Sequence, residues 1–110
     1  MKTFNLKETG AGREDSAILV EMFIEESKLE GETVVKILHG YGSHGVGGVL
    51  FTATRERLEQ LKRQKKIKEY FGGGKWNLLD HETVDALLKD KNCLDDDLNK
   101  SNPGITIVIL

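Results

Sequence analysis

Residues 39–48 read HGYGSHGVGG, with five glycines and two histidines in ten positions. Ordering glycine costs conformational entropy, so such a loop needs a reason in backbone geometry or in the close approach of a ligand. Small residues in succession let backbone N–H groups converge on an anion, and a helix beginning just beyond them would add its positive dipole end. Gly40, Gly42, Ser43, Gly45, Gly47 and Gly48 would form that backbone cradle. His39, leading the loop, has the chemistry to donate to a phosphate, shuttle a proton or cap a strand. Tyr41 could stack on a base or cover the loop, and His44 could touch a ligand. A tight strand-to-helix crossover would explain one or two of the glycines; five of them behind His39 favour a phosphate site.

Gly40–Gly45 formally satisfies GxGxxG, the dinucleotide fingerprint. Three observations oppose that reading. The loop follows the second strand rather than the first, the acidic ribose ligand expected about 20 residues on is Lys65, and the chain is short for a full dinucleotide fold. A Walker loop is excluded because no GK[ST] follows.

The elements that must position this loop are legible from periodicity. KTFNLK (Lys2–Lys7) alternates as a short strand, and Arg13–Leu29 is helical, with Ala17, Val20, Phe23, Ile24 and Ser27 on one stripe. TVVKIL (Thr33–Leu38) has the β-branched, apolar character of an interior strand. After the glycine loop a helix is expected from about Gly48 to Lys65, with Leu50, Ala53, Thr54, Leu58 and Leu61 facing inward. IKEYF (Ile67–Phe71) reads as a third strand, broken by Gly72–Gly74. An insert over 75–102 holds one helix, from Asp80 as N-cap to about Lys89, with a further helical turn expected to start at Asp95–Asp97. ITIVIL (Ile105–Leu110) closes as a central strand. The order is β-α-β-α-β-(α)-β in a single domain spanning 1–110. Helix-joined strands favour parallel pairing, with antiparallel pairing admitted near the end.

The bulk properties bound the partners. The 110 residues, 38% of them hydrophobic, suffice for one modest core. Net charge is -2, but it is segregated. Residues 1–48 carry five basic against eight acidic side chains, residues 49–75 eight against three, and residues 76–110 three against seven. The basic middle can hold a local positive field on a chain that is acidic overall. A single cysteine, Cys93, rules out an internal disulfide and suits a reducing compartment. No apolar run approaches a membrane span, so no membrane partner and a cytoplasmic location are expected. The histidines lack metal spacing, and neither a metal nor another cofactor is expected. His81 is incidental to the insert helix, and Trp76 anchors the insert.

Taken in order, these parts resemble the Smr (small MutS-related) domain. His39-Gly40-Tyr41-Gly42 matches that family's HGxG motif at the end of the second strand. Gly45 and Gly47-Gly48-Val49-Leu50 match its following glycine and helix start, and Pro103–Leu110 its glycine-led last strand. The resemblance implies an α+β fold, a two-layer sandwich with a mixed four-stranded sheet similar to the C-terminal domain of translation initiation factor three. It also implies binding to DNA or RNA, branched forms included, and in many members endonuclease activity. One departure bears on chemistry. The family's Asp-Leu-His-Gly tetrad on the first strand is here Asn5-Leu6-Lys7-Glu8. Asn5 is no base, and a lysine amine, ordinarily protonated at neutral pH, is a poor one.

Nucleic-acid binding is therefore expected through Lys7, the 40–48 loop, Arg55 and Arg57, with His39 as the general acid or base if cleavage survives. The remaining readings are a small-anion or nucleotide module and a protein-interaction domain. The acidic insert admits two roles, a nucleic-acid mimic laid over the basic helix or plain surface.

Overall fold

The structure, a computed structural model, describes residues 1–41 and 46–110. Four strands and three helices follow in the order β1 (Lys2–Asn5), α1 (Arg13–Leu29), β2 (Val34–Leu38), α2 (Val46–Arg63), β3 (Glu69–Gly72), α3 (His81–Lys89) and β4 (Ile105–Ile109). The sheet runs β1-β2-β4-β3, with β1 and β2 parallel and β4 antiparallel to both of its neighbours. This is the mixed α+β sheet that the resemblance implied; of its three pairings only β1 with β2 is the parallel kind that the helix-joined strands favoured. The last strand slots between β2 and β3, so a segment arriving after the insert becomes central.

Alternation along the strands assigns two sheet faces. Val35, Ile37 and Val108 pack with Val20, Ile24, Leu58 and Leu61 beneath α1 and α2. Val34, Ile105, Ile107 and Phe71 face the opposite way and meet Trp76 and Cys93 of the insert. The inner stripe of α2 is as expected: Leu50, Ala53, Thr54, Leu58 and Leu61 are all buried. In α1, Ser16 is buried and Ala17 only half so.

Several boundaries shift for identifiable reasons. β1 stops at Asn5, and Leu6–Thr9 coils into a 3-10 turn that swings Leu6 fully into the core. Thr9 Oγ1 donates to the Leu6 carbonyl and holds that turn. α2 begins two residues earlier than expected, at Val46, and ends at Arg63; the left-handed backbone of Lys65 lies just beyond. Ile67 is buried without being strand, and β3 starts at Glu69. The Asp80 cap of α3 is present, its carboxylate accepting from the Thr83 N–H. Asp95–Asp97 forms no helix; the short 3-10 turn lies at Lys91–Cys93 instead.

The insert does not lie over the basic helix. It covers the sheet face opposite α2, and two of its acids, Asp95 and Asp97, turn inward. Lys36, the one charge within β2, is buried on that face and ion-paired with Asp95 and Asp97. Burial alone would lower the Lys36 pKa, but the two carboxylates outweigh it and the net shift is upward. Asp95 also accepts from the indole N–H of Trp76, which is fully buried against Phe71. Cys93 sits on the same face, its thiol pushed up to about 11 by burial and by neighbouring acids, which suits packing rather than reactivity.

The insert enters through a tight crossing at Gly73. A Cβ there would overlap the Asn102 carbonyl oxygen, a backbone atom with no room to yield. Gly74, one residue on, has open space. Gly73→Ala should therefore lower stability in urea denaturation by about 2 kcal/mol or more. Gly74→Ala should stay within about 0.5 kcal/mol of wild type; equal effects would refute the assignment.

Candidate nucleic-acid interface

The glycine loop leaves β2 at the point where β4 enters the sheet. The backbone N–H groups of His39 and Gly40 both donate to the Gly104 carbonyl at 3.0 Å. Gly40 then takes φ +72°, a left-handed conformation that favours glycine. Gly104 packs against it, since a Cβ there would come within 3.4 Å of the Gly40 Cα.

His39 is fully buried, and both of its ring nitrogens are occupied. Nδ1 lies 2.6 Å from the Gly40 carbonyl, which can only accept, so the proton is on Nδ1. Nε2 of the neutral ring then accepts from Thr106 Oγ1 at 2.7 Å. Thr106 Oγ1 in turn accepts from Arg55 Nε at 3.2 Å. The result is a one-way chain of hydrogen bonds from α2 through β4 to the loop. Burial holds the His39 pKa below the ordinary imidazole value; the Gly40 hydrogen bond opposes this, and the nearby charges of Arg55 and Lys7 reinforce it. In this arrangement His39 offers neither a free lone pair nor a free proton to a ligand.

Arg55 is half-buried. Its guanidinium carbon lies 4.7 Å from the Phe51 ring centroid and 5.9 Å from that of Tyr70. Its outer nitrogens rest on Gly72, where a Cβ would displace them. Burial lowers its pKa from the ordinary value, yet a guanidinium stays charged at neutral pH. Among the described residues no carboxylate lies within 4 Å of it. The other basic residues of α2 are paired, Arg57 with Glu21, Lys62 with Glu69 and Arg63 with Glu59, as is Lys66 just beyond it with Glu21.

The expected site residues thus divide. His39, Gly40, Tyr41 and Arg55 come together, and Lys7, exposed in the 3-10 turn after β1, is near enough for its charge to act on His39. Arg57 is turned toward α1 instead. Gly47 and Gly48 lie in the first turn of α2. Gly42, Ser43, His44 and Gly45 lie outside the described residues. Sequence reasoning missed Thr106, Phe51, Tyr70 and Gly72. Of these only Thr106, the lone hydroxyl in ITIVIL, left a trace in the sequence. Among the described residues no three of His, Cys, Asp and Glu gather as a metal site, and no helix is long and apolar enough to cross a membrane.

This fold, with a histidine-led glycine loop at the end of a parallel strand, defines a class. The family model for the Smr domain matches residues 9–75, more than half of the chain, and the chain belongs to that family. The Smr domain of Thermus thermophilus MutS2 superimposes with a TM-score of 0.60 over 100% of this chain and 98% of that one. Its 21% identity makes this a likeness of fold. No curated protein matches.

The depressed His39 pKa has a pH consequence. The unfolded chain takes up a proton near 6.5 while the folded chain resists it. Stability from neutral His39 is therefore fully present above about pH 6.5 and is lost as pH falls toward the folded pKa. Urea midpoints between pH 7 and pH 5 should fall more steeply for wild type than for His39→Asn, although the variant starts lower. Parallel slopes would show that His39 does not titrate against the fold.

Proposed function

We propose that this chain binds nucleic acid through its phosphates, at the end of the sheet where Lys7, Arg55 and the glycine loop meet. The observation that carries the reading is the Arg55 guanidinium: half-buried, fixed by Thr106 and two aromatic rings, and without an acidic partner among the described residues. A cation shelved in this way and left uncompensated is poised for an external anion, and a guanidinium fork matches phosphate geometry. Lys7 adds a second positive charge on the same side. Gly40, Gly42, Ser43, His44 and Gly45 enter the proposal as loop contacts to that phosphate, with Gly47 and Gly48 at the helix start. Membership of the Smr family supports nucleic acid over a lone small anion. The free cysteine, buried and unreactive, suits a reducing cytoplasm.

The geometry favours binding over cutting. For His39 to serve as general base, its bond from Thr106 would have to open, and Asn5 and Lys7 supply no substitute. Arg57, neutralised by Glu21, is expected to contribute little.

Binding of labelled duplex DNA, branched DNA and single-stranded RNA across a salt series tests this. Affinity should fall steeply as salt rises, and Arg55→Gln should flatten the log–log salt slope by roughly one. Gly72→Ala, which pushes the guanidinium aside without meeting backbone, should imitate Arg55→Gln, whereas Arg57→Gln should stay near wild type. No binding to any probe at low salt would reject the proposal. Nicking that disappears in His39→Ala while binding persists would restore a catalytic role.

A further inference from the structure

An exposed aromatic ring stands beside the buried chain of hydrogen bonds. Tyr41 is 61% exposed, yet its ring is fixed edge-on to Phe51, with centroids 5.4 Å apart and planes at 80°. Phe51 is itself edge-on to His39, at 5.3 Å and 77°, and carries the Arg55 guanidinium 4.7 Å from its centroid. One half-buried ring therefore orients three groups at once: the histidine inside, the cation beside it and the tyrosine in solvent. A T-shaped contact engages at most one π-face of Tyr41, and the ring is otherwise largely in solvent.

A flat aromatic face next to a phosphate-seeking cation fits a particular form of nucleic acid. In a duplex the base planes are stacked on one another, and only groove edges and phosphates are offered outward. An unpaired nucleotide offers a base plane and a phosphate together, and base-on-aromatic stacking tolerates any base because every base has a π-face. Phe51 separates the tyrosine from the guanidinium by a single ring, so one nucleotide, or two neighbours, can engage both.

We infer that Tyr41 is a stacking platform for an unpaired base, so that the substrate class of this site is single-stranded nucleic acid or an unpaired nucleotide within a larger structure. This rests on the phosphate-binding reading of Arg55 and adds a base contact to it. Tyr41 reads no sequence in this role; selectivity for unpaired over paired nucleotides is its contribution.

The test separates base from backbone. Two labelled single-stranded DNA probes of equal length carry the same phosphates, one with all its bases and one with a central run of abasic sites. Wild type should prefer the base-bearing strand by roughly tenfold. Tyr41→Phe should keep that preference and Tyr41→Ala should bind the two strands alike. Arg55→Gln should weaken both strands and keep the ratio between them. A wild type indifferent to the missing bases, or a Tyr41→Ala variant that still distinguishes the strands, overturns the stacking platform and leaves the phosphate site standing. If wild type binds neither strand at low salt yet binds duplex DNA, the platform falls and the phosphate site stands; if it binds no probe at all, both fall.

Discussion

The antiparallel pairing of β2 with β4 is the constraint on which everything else rests. It sets Ile37 opposite Thr106 and Leu38 opposite Ile105, and one residue further it leaves the Gly104 carbonyl facing two N–H groups of the departing loop. A single carbonyl thus fixes both where β2 ends and how the glycine loop sets out. The same register delivers the Thr106 hydroxyl to His39. Had β4 entered one residue out of step, Thr106 would face the insert and an isoleucine would face the histidine, since neighbouring residues on a strand point to opposite faces. His39 would then carry an unsatisfied buried nitrogen, a penalty of about 1–3 kcal/mol.

That central strand also divides the labour of the sheet. Its helix-facing side chains complete the main core and the histidine chain, while Ile105, Ile107 and Ile109 face the insert. The insert's negative charge looks from composition like a surface or a decoy for the basic helix. Instead Asp95 and Asp97 reach through to Lys36, and Trp76 ties Asp95 in place. A buried lysine stripped of those partners would be strongly destabilising, so the acids serve the fold before they serve any field.

The basic helix shows the same economy. Three of its four basic side chains, Arg57, Lys62 and Arg63, are spent on neighbouring acids. Arg55 differs because its surroundings are aromatic rings, a hydroxyl and a glycine, none of which neutralises it. A guanidinium desolvated on one side and uncompensated on the other interacts more strongly with an incoming phosphate than a freely hydrated surface lysine does. Phe51 links this cation to His39 and Tyr41, and so the site is one packed unit rather than a set of separate contacts.

The sequence by itself determined the elements and the family, and it singled out the 39–48 loop. Period-2 and period-3.6 patterns are local properties, and HGxG between strand and helix is a local motif. It also named His39, Tyr41 and Arg55, and it marked Trp76 as an anchor. It could not decide which arginine of α2 has an acidic partner, because Arg55 and Arg57 differ only in what lies opposite them, and Glu21 and Thr106 come from distant segments. Nor could it reveal that His39 is sealed by Thr106, 67 residues away, or that Asp95 and Asp97 of the insert turn inward to Lys36. Those outcomes depend on strand order and register, where β4 enters between two earlier strands. Pairings of that kind are non-local, so no window along the chain contains both partners.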